Sequence, residues 1–342
     1  MTAVFCDNAA DRSAQTWEKQ LAPFDRLEFV ISDAAGGIGK AVSQLARVRR
    51  EDPQAPTLEH GLDVFHTTME AQRVLAQHWR MAEATWEKAE AADLEVARSK
   101  RQGTDARGPA RSAHAAWSRA TAALDRTERL EAAWGRAHAA LDLFRAEGRL
   151  NDRGHARTEI AEALKILSGP DWSKVRNFLN DPRSLSFLER MHRRLELAEP
   201  EPGLREAMAW RWWLVHRRAA CSGPLIRLVR ALGRDRKLNQ EEQRSYERVS
   251  AVLGDTFRAS SAVECMNSVL RMQQSRHKRM TQAMLDLKRL YWNSHEFRSG
   301  PRKKACPYQV LGLGLPTYDF WTLLQTDPKD LAQRLSTTRN TE

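Results

Sequence analysis

Long apolar runs are missing from this chain of 342 residues. None approaches the roughly 20 residues that a membrane-spanning helix needs, so no membrane role is expected. Cysteine is scarce. Cys6, Cys221, Cys265 and Cys306 lie far apart, and none forms a C-x-x-C or Cys/His pair with zinc spacing. That excludes a zinc-finger framework and reads as four reduced, non-ligand thiols. The opening residues, MTAVFCDNAADRS, lack both a basic stretch and an apolar one, so no secretory signal is expected and the location reads as cytoplasmic. A Walker-type G-x-x-x-x-G-K-[ST] loop is absent, and there is no exact internal repeat.

What is present is positive charge. The formal net charge is +11 and the isoelectric point about 9.8. A balance of this size points to a polyanionic partner, most often nucleic acid. Arginine supplies 43 of the 55 basic residues. Its planar fork binds phosphate oxygens in pairs, although a GC-rich genome would produce the same bias. With 42% hydrophobic and 29% charged residues the composition is that of a globular protein with a sizeable core.

The first sixty-odd residues differ from the rest. Residues 26–33, RLEFVISD, form a short apolar run that ends in Asp and a glycine cluster, the profile of a buried strand and a tight loop. The preceding segment, starting at Asp11-Arg12-Ser13, reads as a helix with Trp17 and Leu21 on its core face. Residues 39–50 read as a helix and 62–66, LDVFH, as a second strand. The order β-α-β predicts a parallel pair. From Thr67 onward helices dominate. Two long antiparallel ones are expected over 67–100 and 111–147, joined by a turn at 103–108, with Trp79, Trp86, Trp117 and Trp134 as packing anchors. Further helices are expected near 155–168, 172–180, 184–197, 203–219 and 239–253. Two strands do not make a stable open sheet alone, so a further strand or a second chain is expected to pair with them.

Three stretches carry the chemistry: Ile31-Ser32-Asp33 with its Gly36, Gly37 and Gly39 loop; Asp63-Val64-Phe65-His66; and Glu264-Cys265-Met266-Asn267-Ser268-Val269-Leu270-Arg271. In this order, and together with the segments 285–293, 298–304 and 307–312, they resemble the DDE transposases of bacterial insertion sequences over about residues 10–315. The resemblance implies an α/β fragment of an RNase H-like core with a large all-α insertion, predominantly helical overall. The implied parts are a partial core at 1–66, the helical insertion at 67–254, core C-terminal helices at 255–315 and a tail at 316–342. It further implies DNA cleavage and strand transfer with Mg²⁺ or Mn²⁺. Asp33 would be the second metal-binding carboxylate and Glu264 the third, with Asp63, His66 and Asn267 supporting the motif. Hard divalent cations prefer carboxylate oxygens, and two such ions can serve both the attacking and the leaving oxygen of a phosphodiester. The first carboxylate has no good candidate here. Asp7 and Asp11 stand at the right distance, but neither ends an apolar strand. The expectation is therefore a chain that has lost its first strands and is inactive alone.

Residues 271–304 hold ten Arg or Lys against two acids, Asp286 and Glu296. Arg271, Arg276, Lys278, Arg279, Lys288, Arg298, Arg302, Lys303 and Lys304, with Trp292, are the expected DNA contacts, and homo-oligomers on transposon ends and target DNA are expected partners. Blander readings stand beside these. Ser261 to Glu264 is a capping-box pattern. An extended chain would place Asp63 and His66 on opposite strand faces, so the pair need not touch. A charge run can be a solvated face. Residues 35–40, AGGIGK, could be a nicotinamide-cofactor turn, but Asp33 would repel a phosphate there, and β-α alternation and a Tyr-x-x-x-Lys motif are both wanting. A non-enzymatic helical DNA-binding or interaction protein is the main competing reading.

Overall fold

The computed structural model of the chain describes residues 11–33, 35–216, 237–258, 281–298, 303–310, 312–327 and 329–330. These form two compact units, one of residues 17–260 and one of residues 1–16 with 261–342.

The first unit begins with α1, Ala14–Leu21, which carries over from the other unit, and β1, Phe29–Ser32. Helix α2, Gly36–Arg50, and strand β2, Glu59–Leu62, follow. The two strands pair in parallel, Phe29 opposite Glu59 and Ser32 opposite Leu62. The sequence pattern thus gives its β-α-β unit. Side chains of β1 alternate between two cores, as a strand's period of two requires. Val30 joins Ile38, Val42 and Leu58 under Trp17 and Leu21, while Phe29 packs on the larger helical core. Gly61 on β2 sits under Phe29, and a Cβ there would fall 2.6 Å from the ring. The alternation leaves the N–H and C=O groups of Phe29 and Ile31 pointing away from β2. Among the described residues no strand pairs with that edge.

The helical part starts earlier than the sequence pattern suggests. Helix α3 is Val64–Arg101 and α4 is Arg107–Ala140. They form the expected antiparallel hairpin, in which Ala89, Ala116 and Ala120 make a close-packed seam near the tip. Trp86 and Trp117 meet there edge to face at 4.9 Å, and the Trp117 indole donates to Asp93 at 2.7 Å. Larger side chains, among them Val74, Leu130 and Trp134, fill the base. There α5 (Arg153–Ile166), α6 (Ser173–Asn180), α7 (Ser186–Ala198), α8 (Pro202–His216) and α9 (Gln240–Gly254) close one core around the fully buried Trp172, Leu188, Met191 and Val249. The helices lie where the sequence pattern places them, except that α4 stops at Ala140, seven positions short of the expected end at 147, and that 217–219 of the expected 203–219 helix lie outside the described residues. The tryptophans Trp79, Trp86, Trp117 and Trp134 do lie on the hairpin, and Trp134 is an anchor in its core.

Helix α7 clamps the sheet. Arg190 pairs with Glu28 at 2.7 Å and lies over the Phe29 ring, and Arg193 pairs with Glu59. After α9 the chain returns to the sheet, where the Arg258 carbonyl accepts a hydrogen bond from Val64 N–H at 3.0 Å. The helical block therefore leaves and re-enters at one point, with 194 positions (258 − 64) between the bonded residues. Sheet and helical block share one compact unit.

In the second unit, α10 is Gln282–Ser294, α11 is Pro307–Val310 and α12 is Phe320–Gln325. Overall the chain is predominantly helical with a small parallel two-stranded sheet. No helix among the described residues is long and apolar enough to cross a membrane. Cys306 is buried and unbridged, and the other three cysteines lie outside the described residues.

Candidate active site

The carboxyl ends of the parallel strands are where α/β units expose functional groups, because backbone loops leave the sheet there. Asp33 directly follows β1 and Asp63 directly follows β2. Since Ser32 pairs with Leu62, these two acids are the next positions along neighbouring strands, and the ladder continues through Asp63 N–H to Ser32 C=O at 2.8 Å.

Their surroundings differ. Asp33 is exposed, and the one hydrogen bond to its carboxylate among the described residues is long, 3.4 Å, from Ala35 N–H. Its oxygens are open to a cation. The Asp63 side chain is fully buried. It caps α3, one oxygen accepting from Phe65 N–H at 2.8 Å and the other meeting His66 Nδ1 at 2.8 Å. That corrects the reading of 62–66 as a strand with Asp63 and His66 on opposite faces. A buried carboxylate satisfies the orphan amides at a helix start, so the helix begins at Val64 despite the strand propensity of Val64 and Phe65. The spacing i, i+3 then brings the two side chains together. The bond holds a neutral ring's proton on Nδ1 and directs its lone pair through Nε2. About half of the His66 side chain is exposed.

A second network, illegible in the sequence, braces the end of β1. Ser32 Oγ donates to the Asp33 carbonyl at 2.8 Å, so it accepts from His60 Nε2, also at 2.8 Å. His60 Nδ1 in turn accepts from Arg183 at 3.1 Å, and Arg183 is gripped by both oxygens of Asp181. Burial, with the nearby Arg183 charge, pushes the His60 pKa down to about 4. The folded state disfavours the protonated ring, so the unfolded chain binds the extra proton as pH falls. This stabilising contribution is complete above about 6.5 and is lost as pH falls from there towards 4. Thermal melts of the wild type and of His60→Gln should diverge over that window, with the flatter profile in the variant. Parallel profiles would show that His60 does not carry this dependence.

The other expected site residues are placed only in part. Glu264, Asn267, Arg271, Arg276, Lys278, Arg279 and Arg302 lie outside the described residues, as does Asp7. Lys288 and Trp292 are on α10, both half-buried; Arg298, Lys303 and Lys304 are exposed. Lys304 adopts φ 67° and, with Ala305, closes a loop back onto the backbone of Phe297. Asp11 opens α1 as its motif suggests, accepting from Ser13 N–H and Thr16 Oγ1, and these bonds pull its pKa down to about 2. Among the described residues no three His, Cys, Asp or Glu side chains form a metal cage.

No protein-family model, no curated protein and no solved structure matches this chain.

Proposed function

We propose that this chain carries part of a DDE transposase catalytic core, an RNase H-like α/β unit interrupted by the helical block, acting on DNA. One observation carries the reading. The helical block leaves at Asp63 and returns at Arg258 to the same helix N-terminus, beside the strand that ends in Asp33 and six positions before Glu264. An element inserted into an existing core has such adjoining ends. The open edge of β1 is where a core of this kind would receive a further strand.

Asp33 suits a cation ligand because its carboxylate is exposed and scarcely bonded within the protein. Asp63 does not, because both its oxygens are committed to the α3 cap and His66. On this reading Asp33 and Glu264 would hold Mg²⁺ or Mn²⁺, which would activate an oxygen nucleophile and stabilise a leaving oxygen. Asp63 fixes the His66 ring and the start of α3, while His60 and Ser32 fix the backbone carrying Asp33.

The DNA contacts are proposed for the basic segment 271–304, with homo-oligomers on transposon ends and target. Neutralising Arg276, Lys278 and Arg279 together should weaken duplex binding and flatten the slope of log affinity against log salt by up to about 3, near 0.9 per phosphate lost. Fluorescence anisotropy between 50 and 200 mM salt, about the range over which such contacts are felt, reads this directly. An unchanged affinity would assign the segment to solvent. The chain offers no good first carboxylate, so supercoiled-plasmid nicking with Mg²⁺ or Mn²⁺ is expected to be absent. Nicking abolished by both Asp33→Ala and Glu264→Ala would show that the site is complete after all, and nicking that survives Asp33→Ala would contradict the site.

A further inference from the structure

A cavity of about 500 Å³ opens between the α4–α5 loop, α7 and α8, within the range of small-molecule sites. It plays no part in the strand-end site, and its walls are unusual in charge and shape. The loop is a tight hairpin: Arg145 N–H bonds the Arg149 carbonyl at 2.9 Å, Gly148 N–H bonds the Arg145 carbonyl at 3.0 Å, and Phe144 pairs with Leu150. Gly148 lies so close to the buried Trp213 ring that a Cβ would be 2.8 Å from it. That contact seats the loop on α8 and brings Arg149 to the cavity shared with Arg205 and Trp210.

Three arginines line the cavity, but they are not equivalent. Arg145 is neutralised by Asp152, which also caps α5. Arg205 is oriented by the carbonyls of Glu199 and Pro200, at 2.9 and 3.4 Å, and meets no carboxylate among the described residues. The exposed Arg149 guanidinium has no hydrogen-bond or ion-pair partner among them. Glu206, exposed in the same wall, offsets only one of these two charges. Trp210 presents its indole to the same space and is 38% exposed, although the tryptophan three positions on is buried. A fixed guanidinium, a second uncommitted one and a flat ring make a combination suited to a ligand with both an anion and a planar face. Arginine forks match phosphate oxygens, and an indole stacks on any base.

We propose that this cavity binds one nucleotide unit, with the phosphate held by Arg149 and Arg205 and the base against Trp210. The nucleotide could be free or part of a single DNA strand. Titration calorimetry on the full chain distinguishes the two, using adenosine monophosphate, adenosine, inorganic phosphate and a four-nucleotide single-stranded DNA, each also tested against Arg149→Ala and Trp210→Leu. Arg149 is exposed and has no side-chain partner among the described residues, so its replacement leaves the fold intact. The expected result is that adenosine monophosphate or the oligonucleotide binds at least tenfold tighter than adenosine or phosphate, and that each variant loses at least tenfold. Tighter binding of the oligonucleotide identifies a strand as the source; equal or tighter binding of the mononucleotide identifies a free ligand. Overturning results are no binding of either, or binding that both variants leave within threefold. Because the variants leave 271–304 and Asp33 untouched, DNA binding through those residues would survive intact and could not be mistaken for occupation of this cavity.

Discussion

Replacing Gly148 by alanine is expected to lower stability by about 3 kcal/mol. Two costs combine. Gly148 has φ 87°, where a side chain is strained by roughly 1–2 kcal/mol. The added methyl would also press into the Trp213 ring, with three ring atoms between 2.8 and 3.0 Å. Trp213 is 5% exposed in the main helical core, so the ring cannot swing out to solvent, and overpacking of this kind costs about 1–3 kcal/mol. For a unit of this size the melting temperature should fall by about 6–12 °C. Alanine at Gly135, inside α4 with open space around it, is the control and should be neutral or slightly stabilising. A Gly148→Ala melt within 2 °C of wild type, about what half a kcal/mol produces, would contradict the packing described for α8 and its loop.

Asp63→Ala is expected to have the next largest effect, about 2–3 kcal/mol. It removes the cap of a 38-residue helix and leaves Phe65 N–H and the His66 ring without their acceptor. Loss of a cap costs about 1 kcal/mol, and loss of a hydrogen bond to a charged group about 1.5–3. Asp63→Asn keeps an amide oxygen for Phe65 and should recover much of the loss. Asp33→Ala, at an exposed carboxylate with one long bond, should stay within about 0.5 kcal/mol of wild type. Chemical denaturation of the three variants therefore separates the two acids of the motif. Equal losses at Asp33 and Asp63 would refute the division into an open carboxylate and a buried brace.

Local signals carried most of the fold. The apolar run through Phe29–Ser32 with the glycine cluster after it, the alanine and tryptophan spacing of α3 and α4, and the Asn, Pro and Gly punctuation after residue 150 all act within a few residues, so the sequence pattern shows them. The boundary at Asp63 departs from the sequence pattern because two local rules conflict there. Val64 and Phe65 favour a strand, whereas an Asp followed by a long alanine-rich stretch favours a capped helix, and the buried carboxylate decides for the helix. The choice reverses the geometry of Asp63 and His66, since three residues span opposite faces of a strand but one face of a helix. The brace around His60 had no signal to find. Arg183 lies 123 positions away in sequence, and nothing in its neighbourhood marks it as the partner of a strand histidine. The return of Arg258 to Val64 is equally nonlocal.

The proposed function has Asp33 and Glu264 share a divalent ion. It is tested most directly by replacing Mg²⁺ with Fe²⁺ and mapping cleavage of the chain with ascorbate and peroxide, because radicals formed at the bound iron cut the backbone only nearby. Two cuts are expected, one close to residue 33 and one close to residue 264, and Asp33→Asn should abolish both. A cut at only one of these places, or a pattern that Asp33→Asn leaves unchanged, would contradict a shared site.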